Sequence, residues 1–214
     1  MGSSRKPRLG EETRAQSLFR QESESQELTL PFQRKSGKPR PFLNEAGLYD
    51  YAVKTLGRAM RSEAELRQLM QRRVEPGERG EAAIAAVVAK LKEMHYLDDQ
   101  SFAETYARLR QENEKLGKRR VRRDLQQKGV GSELIAETLE ARYGQTSEEA
   151  LAREHLERKR LLKPESEKET ARVMRRLVSA GFSPGVIYKI LRQWDVPDEA
   201  LAALDNLDDE PHEE

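Results

Sequence analysis

The stretch Val121-Arg122-Arg123-Asp124-Leu125-Gln126-Gln127-Lys128-Gly129-Val130 returns as Val173-Met174-Arg175-Arg176-Leu177-Val178-Ser179-Ala180-Gly181-Phe182, 52 positions later. Val, Leu and Gly hold one register, and beyond them Ile135 meets Ile187 and Leu139 meets Leu191. A fixed period of this size marks a repeat array, in which each unit buries one apolar stripe against its neighbours. Upstream the pattern is looser. Leu66 and Met70 stand where Val121 and Leu125 stand later, but the closing glycine is missing and Arg72-Arg73-Val74 occupies its place.

Outward from this repeat, apolar residues recur at spacings of three and four, the period of amphipathic helix, and strand signals are nearly absent. Asn44 leads into a first helix, Tyr49–Met60. Ser62 with Glu65 forms a capping box that opens a second helix to about Arg73. Pro76-Gly77 breaks it, and a third runs from Gly80 to His95. Leu97-Asp98-Asp99 precedes a fourth, Gln100–Glu114, with Phe102, Tyr106 and Leu109 inward. Gly117 precedes Lys118–Lys128, closed by Gly129, and Ser132 opens the next, ended by Gly144. Ser147 caps a helix to about Leu162, Glu167–Ala180 is closed by Gly181, and Ser183-Pro184 opens the last. A short helix is also expected at Glu12–Phe19.

Nine main helices make three sets of three. The expected fold is all-α: three tandem three-helix repeats forming an elongated curved body. The expected division is a disordered basic arm at 1–44, repeats at 45–97, 98–145 and 146–196, and an acidic tail at 197–214.

Composition narrows the function. Charged residues make up 36% and aromatics 6%, too polar for one large spherical core but enough for thin helical layers. Basic and acidic residues nearly cancel, 39 against 38, so net charge alone does not argue for nucleic acid. Cysteine is absent, which removes disulfides, thiol catalysis and cysteine-bound zinc. No apolar run approaches the ~20 residues that span a bilayer, and no apolar stretch follows the basic start, so a cytoplasmic protein is expected.

Catalysis finds no support. Asp98-Asp99 is the one conspicuous carboxylate pair, and its place before a helix explains it as capping. His95, His155 and His212 are isolated, so no metal site is expected. No nucleophile elbow or phosphate loop occurs, and no cofactor is implied.

Basic clusters remain. Arg119, Arg122, Arg123 and Gln126 fall on one helical stripe beside Lys118, opposite Val121 and Leu125, with the single acid Asp124 near. Arg172, Arg175, Arg176 and Ser179 form a similar stripe displaced by one position, with Arg153, Arg158, Lys159 and Arg160 adding to it. Such faces suit phosphate backbones or an acidic protein groove. Readers of single strands usually add exposed aromatics. Tyr96, Phe102, Tyr106, Tyr143, Phe182, Tyr188 and Trp194 fall mostly on apolar stripes and are expected in the core.

Three pieces together carry a resemblance: Arg61-Ser62-Glu63-Ala64-Glu65-Leu66-Arg67, then Tyr96-Leu97-Asp98-Asp99-Gln100-Ser101-Phe102-Ala103-Glu104-Thr105-Tyr106, then Gly117 through Val130. In order and spacing they resemble the RecX family over residues 48 to 195. Leu97, Asp98, Asp99, Phe102, Tyr106, Gly129 and Gly181 are its structural signature here. The resemblance implies a monomer that binds the RecA protein and its filament on single-stranded DNA, with weak non-specific DNA binding. It implies inhibition of strand exchange, ATP hydrolysis and the co-protease activity that triggers the SOS response, and so regulation of DNA repair. The partner-binding residues expected are Lys118, Arg119, Arg122, Arg123, Arg153, Arg158, Arg172, Arg175 and Arg176. The alternative is a nucleic-acid-binding helical module acting without RecA.

Overall fold

A computed structural model describes residues 41–196. The expected helix at Glu12–Phe19, the basic arm as far as residue 40 and the acidic tail at 197–214 lie outside the described residues. Among the described residues the chain is helical throughout: α1 (Glu45–Leu56), α2 (Glu63–Gln71), α3 (Glu78–Glu93), α4 (Asp99–Glu114), α5 (Lys118–Gln127), α6 (Ser132–Tyr143), α7 (Glu148–Arg158), α8 (Glu167–Ser179) and α9 (Pro184–Gln193). Packing follows the triplets. α1, α2 and α3 pack on one another, as do α4, α5 and α6, and α9 packs on both α7 and α8.

Several helix starts follow the sequence rules, although α1 begins at Glu45 rather than Tyr49 and α3 at Glu78 rather than Gly80. Asn44 Oδ1 accepts the Gly47 N–H at 2.9 Å, and Ser62 with Glu65 forms the reciprocal capping box. Asp98 accepts the Gln100 N–H at 2.9 Å and the Ser101 hydroxyl at 2.7 Å.

Helix ends differ from expectation. α1 stops at Leu56 rather than Met60, α2 at Gln71 rather than Arg73, and α7 at Arg158 rather than Leu162. The cause at α7 recurs down the chain. A left-handed residue is followed by an apolar one whose N–H reaches back to the last helical turn, as in a Schellman cap. Leu161 N–H donates to Leu156 O at 2.9 Å, after Arg160 at φ 52°. Val130 donates to Leu125 O after Gly129, and Phe182 to Leu177 O after Gly181. His95, Lys115 and Asp195 take the same left-handed conformation without glycine. At α7 no glycine announces the end, whereas α1 and α2 stop on right-handed caps at Gly57 and Arg72.

Left-handed glycine closes two helices, α5 and α8, and at both another unit's helix comes close. The amino end of each unit's middle helix seats on the carboxyl end of the next unit's middle helix. Gly117 N–H donates to Ala180 O at 2.9 Å and Arg119 N–H to Gly181 O at 3.3 Å. A Cβ on Gly181 would collide with the backbone nitrogen of Arg120. Ser62 Oγ likewise donates to Lys128 O, and a Cβ on Gly129 would run into the Ala64 methyl.

Arg73, Lys128 and Ala180 hold the same repeat position, spaced by 55 and 52 residues. Arg73 O accepts the Leu43 N–H at 2.8 Å. The end of the expected arm, Leu43 and Asn44, thus takes the place that a preceding unit's helix takes at the other two seats. No middle helix presses on Val74, so no glycine is needed there. This accounts for the departure from the repeat.

The apolar interior falls into two clusters. Leu48, Ala52, Leu66, Met70, Ile84, Val87, Val88, Leu91 and Leu97 form one within α1–α3. A second runs unbroken from Phe102 through Leu125, Leu139 and Leu156 to Leu177, Phe182, Ile187 and Leu191. Two expected core residues are outside it: Leu109 is 41% and Tyr96 58% exposed. Tyr188 and Trp194 are half-buried against the second cluster.

Candidate partner-binding surface

α5 is built to present cations. Val121 and Leu125 are fully buried and fix the helix on its apolar side, which leaves Arg119, Arg122 and Arg123 exposed on the other. None of the three has an ion pair with another described residue. Lys118, by contrast, is tied to Glu140 of α6 at 2.8 Å. The sequence stripe counted Asp124 as its one acid; Glu140 arrives from a separate helix and could not be seen.

Asp124 faces inward. It accepts from Tyr106 Oη at 3.2 Å and pairs with Arg120 Nε at 2.9 Å. Its burial beside Tyr106 links two signature aromatics to α5. The Phe102 and Tyr106 rings stack at 5.9 Å, with Arg110 over Tyr106 at 4.7 Å. The Lys128 ammonium lies over both rings, at 5.9 and 5.4 Å, and pairs with Glu65 of α2 at 2.7 Å.

Asp99 does not cap its own helix. Its carboxylate accepts the Glu63 N–H at 2.8 Å and so caps α2 from the neighbouring unit. Burial, first, and the Glu63 carboxylate raise its pKa above 3.8, although the Glu63 N–H works the other way. The Ser101 hydroxyl and the Gln100 amide hold Asp98 below its ordinary value. The pair is structural, as its position implied, and reaches further than expected. Leu97 closes the first apolar cluster.

The third-unit cations divide. Arg153 is engaged by Glu149 and Gln193, and Glu149 also takes Lys189. This internal network leaves Arg153 a poor candidate. Arg158, Arg172, Arg175 and Arg176 are exposed and have no ion pair among the described residues. Arg172 and Arg176 meet Arg120 of α5 and Lys159 in one cleft between the second and third units, whereas Arg175 lies outside it. Arg120 was missed because it precedes a buried valine and sits off the α5 stripe.

His155, which the sequence places on a highly charged helix, is only 4% exposed. Its Nδ1 lies 3.1 Å from Glu114 O and its ring meets Phe182 edge-on at 5.8 Å. Burial lowers its pKa below 6.5. Among the described residues no group of His, Asp and Glu could hold a metal ion, and no helix is long and apolar enough to cross a membrane.

Models of the second and third three-helix domains of RecX match residues 98–139 and 147–191. Regulatory protein RecX of Thermobifida fusca is 32% identical over 145 residues, covering 66% of this chain and 75% of that protein. The chain belongs to the RecX family. The regulatory protein RecX of Oceanobacillus iheyensis is 29% identical over 154 residues, 71% of this chain. The match spans only 54% of that relative's own length. The crystal structure of RecX from Lactobacillus salivarius superposes with a TM-score of 0.53 at 19% identity, over 71% of this chain and 96% of that one. It shares the fold.

Proposed function

We propose that this chain is a non-catalytic, cytoplasmic regulator that binds RecA and its filament on single-stranded DNA. In this reading it mainly inhibits recombinase, ATPase and co-protease activity, and so regulates DNA repair and the SOS response. Family membership supports the regulatory role. The observation that carries the binding mode is the exposed, uncompensated run Arg119, Arg122 and Arg123 on α5. Like charges at i, i+3 and i, i+4 cost a helix a few tenths of a kcal/mol per pair. An anionic partner turns that cost into affinity. The faces offered are acidic RecA surfaces or the phosphates of the filament's DNA, with Arg158 and Arg175 extending the contact.

DNA-dependent ATP hydrolysis by RecA, titrated with the full chain at two salt concentrations, tests the reading. Inhibition at substoichiometric amounts, weakening with salt, is expected. Unchanged hydrolysis alongside salt-sensitive DNA binding overturns it in favour of a nucleic-acid module acting without RecA.

A further inference from the structure

The cleft between the second and third units has a volume of about 320 Å³. Arg120 enters it from the first turn of α5, Arg172 and Arg176 from α8, and Lys159 from the end of α7. One acid, Glu114, also lines the cleft and is paired with Arg110 of its own helix, and Asp124 is paired with Arg120. Lys159, Arg172 and Arg176 have no ion pair among the described residues. Arg120 is held in place from behind, its Nε on Asp124 at 2.9 Å and a terminal nitrogen on Ser179 O at 3.4 Å.

A bland account exists for half of this. α7 and α8 both end at the cleft, and a helix carboxyl end carries about half a negative charge. That explains Lys159, at the C-cap of α7, and Arg176, in the last turn of α8. It does not explain Arg172, which lies in the second turn of α8. Nor does it explain Arg120, because the amino end of a helix repels cations; Asp124, one turn on, holds that side chain there and leaves its terminal nitrogens to the cleft. The first turns of α2 and α8 hold glutamates, as that rule asks, whereas the first turn of α5 holds no acid at all. Two half-charges and the Asp124 carboxylate on Arg120 together offset about two of the four cations.

We propose that this cleft is a binding site for phosphate groups. Three guanidinium forks and an ammonium offer many more N–H donors than one carboxylate can accept, and they match the several oxygens of a phosphate or diphosphate. The volume is at the lower end of the ~300–1,000 Å³ of ligand pockets. The cleft offers a base no aromatic stacking face, because the His155 ring is buried edge-on against Phe182. Recognition is therefore of the phosphate and not of the base. The same chemistry comes from two sources, the tail of a free nucleotide or the backbone of a nucleic acid. The site stands apart from the exposed stripe of Arg119, Arg122 and Arg123, and its test needs no RecA.

The test is calorimetric titration of the full chain with pyrophosphate at low salt, alone and after addition of ATP or of an oligothymidylate about twelve nucleotides long. Saturable one-site binding is expected. It weakens about tenfold or more in R172A/R176A, and stays within about twofold of wild type in R72A/R79A of the first unit. All four substituted residues are exposed, and unchanged melting checks the fold. R120K, which keeps the charge but loses the fork, should also weaken binding. Displacement by the oligonucleotide assigns the backbone as source, and displacement by ATP alone assigns the nucleotide. The proposal is overturned by absence of saturable heat, by equal loss in both double variants, or by pyrophosphate binding that neither competitor displaces.

Discussion

The two joints between units use one geometry and different chemistry. At both, the amino end of a middle helix rests on the carboxyl end of the next. At the first joint the contacts are polar side chains: Ser62 on Lys128 O, Asp99 on the Glu63 amide, Lys128 on Glu65. The apolar clusters on either side stay separate. At the second joint backbone meets backbone through Gly117 and Gly181, and one apolar cluster runs through both units. The first joint thus rests on one part-buried ion pair and a few hydrogen bonds worth about 0.5–1.5 kcal/mol each, whereas one buried large apolar side chain contributes about 1.5–3. The second and third units therefore form a single cooperative block, and the first is a body fastened to it by side chains.

Core deletions should break that contrast most visibly. Phe182, 2% exposed, belongs to the shared cluster, and F182A should cost about 3–5 kcal/mol and loosen both the second and third units. L66A should cost about 2–5 kcal/mol within the first unit alone. Hydrogen exchange resolved by residue checks this; equal loss of protection across all three units in L66A would remove the distinction.

The glycines sharpen it. G181A meets the backbone of Arg120 at φ 88° and should cost about 2–4 kcal/mol. G129A meets only the Ala64 methyl and should cost about 1–2 kcal/mol, part of it recovered in A64G/G129A. Chemical denaturation of the three variants reads both the order and the rescue.

Acid should act on the joints at different pH, with the smallest effect of the three. His155 lies beside the second joint with its folded pKa below 6.5. The unfolded chain takes up that proton first, so its stabilisation is complete above pH 6.5 and is lost as pH falls below this toward and through the folded value. The first joint responds only in the carboxylate range, and its two acids oppose each other. Glu63 is held below 4.5 because hydrogen bonds from Lys92 and Arg67 outweigh its burial, so its contribution is lost as pH falls through that depressed value. Asp99, raised by burial, gains relative stability over the same descent. The wild-type melting midpoint should therefore fall between pH 7.5 and 5.5, and H155Q should flatten that slope.

Much of the fold was legible because its signals are local. The 52-residue register, the Ser62–Glu65 capping box and the Asp98 cap need only neighbours in sequence. The ends of α3 and α7 were overread because His95 and Arg160 adopt the left-handed conformation without the glycine that would announce it, whereas α1 and α2 stop on right-handed caps that the pattern does not mark. The α5 stripe was legible because Val121 and Leu125 orient the helix. Whether a cation is free was not. Glu140 reaches Lys118 from 22 residues away, and Gln193 reaches Arg153 from 40. Arg120, Lys159, Arg172 and Arg176 become neighbours only when the second and third units pack.

The most direct measurement is binding to preformed RecA filaments on single-stranded DNA, comparing R119E/R122E/R123E with R72E/R79E at low salt. The first variant reverses charge on the rigid block, and the second reverses two exposed arginines of the first unit. Loss of about tenfold or more in affinity for the first variant, with little change for the second, is the predicted result. Equal affinity in both variants and wild type would contradict the assignment of the binding face.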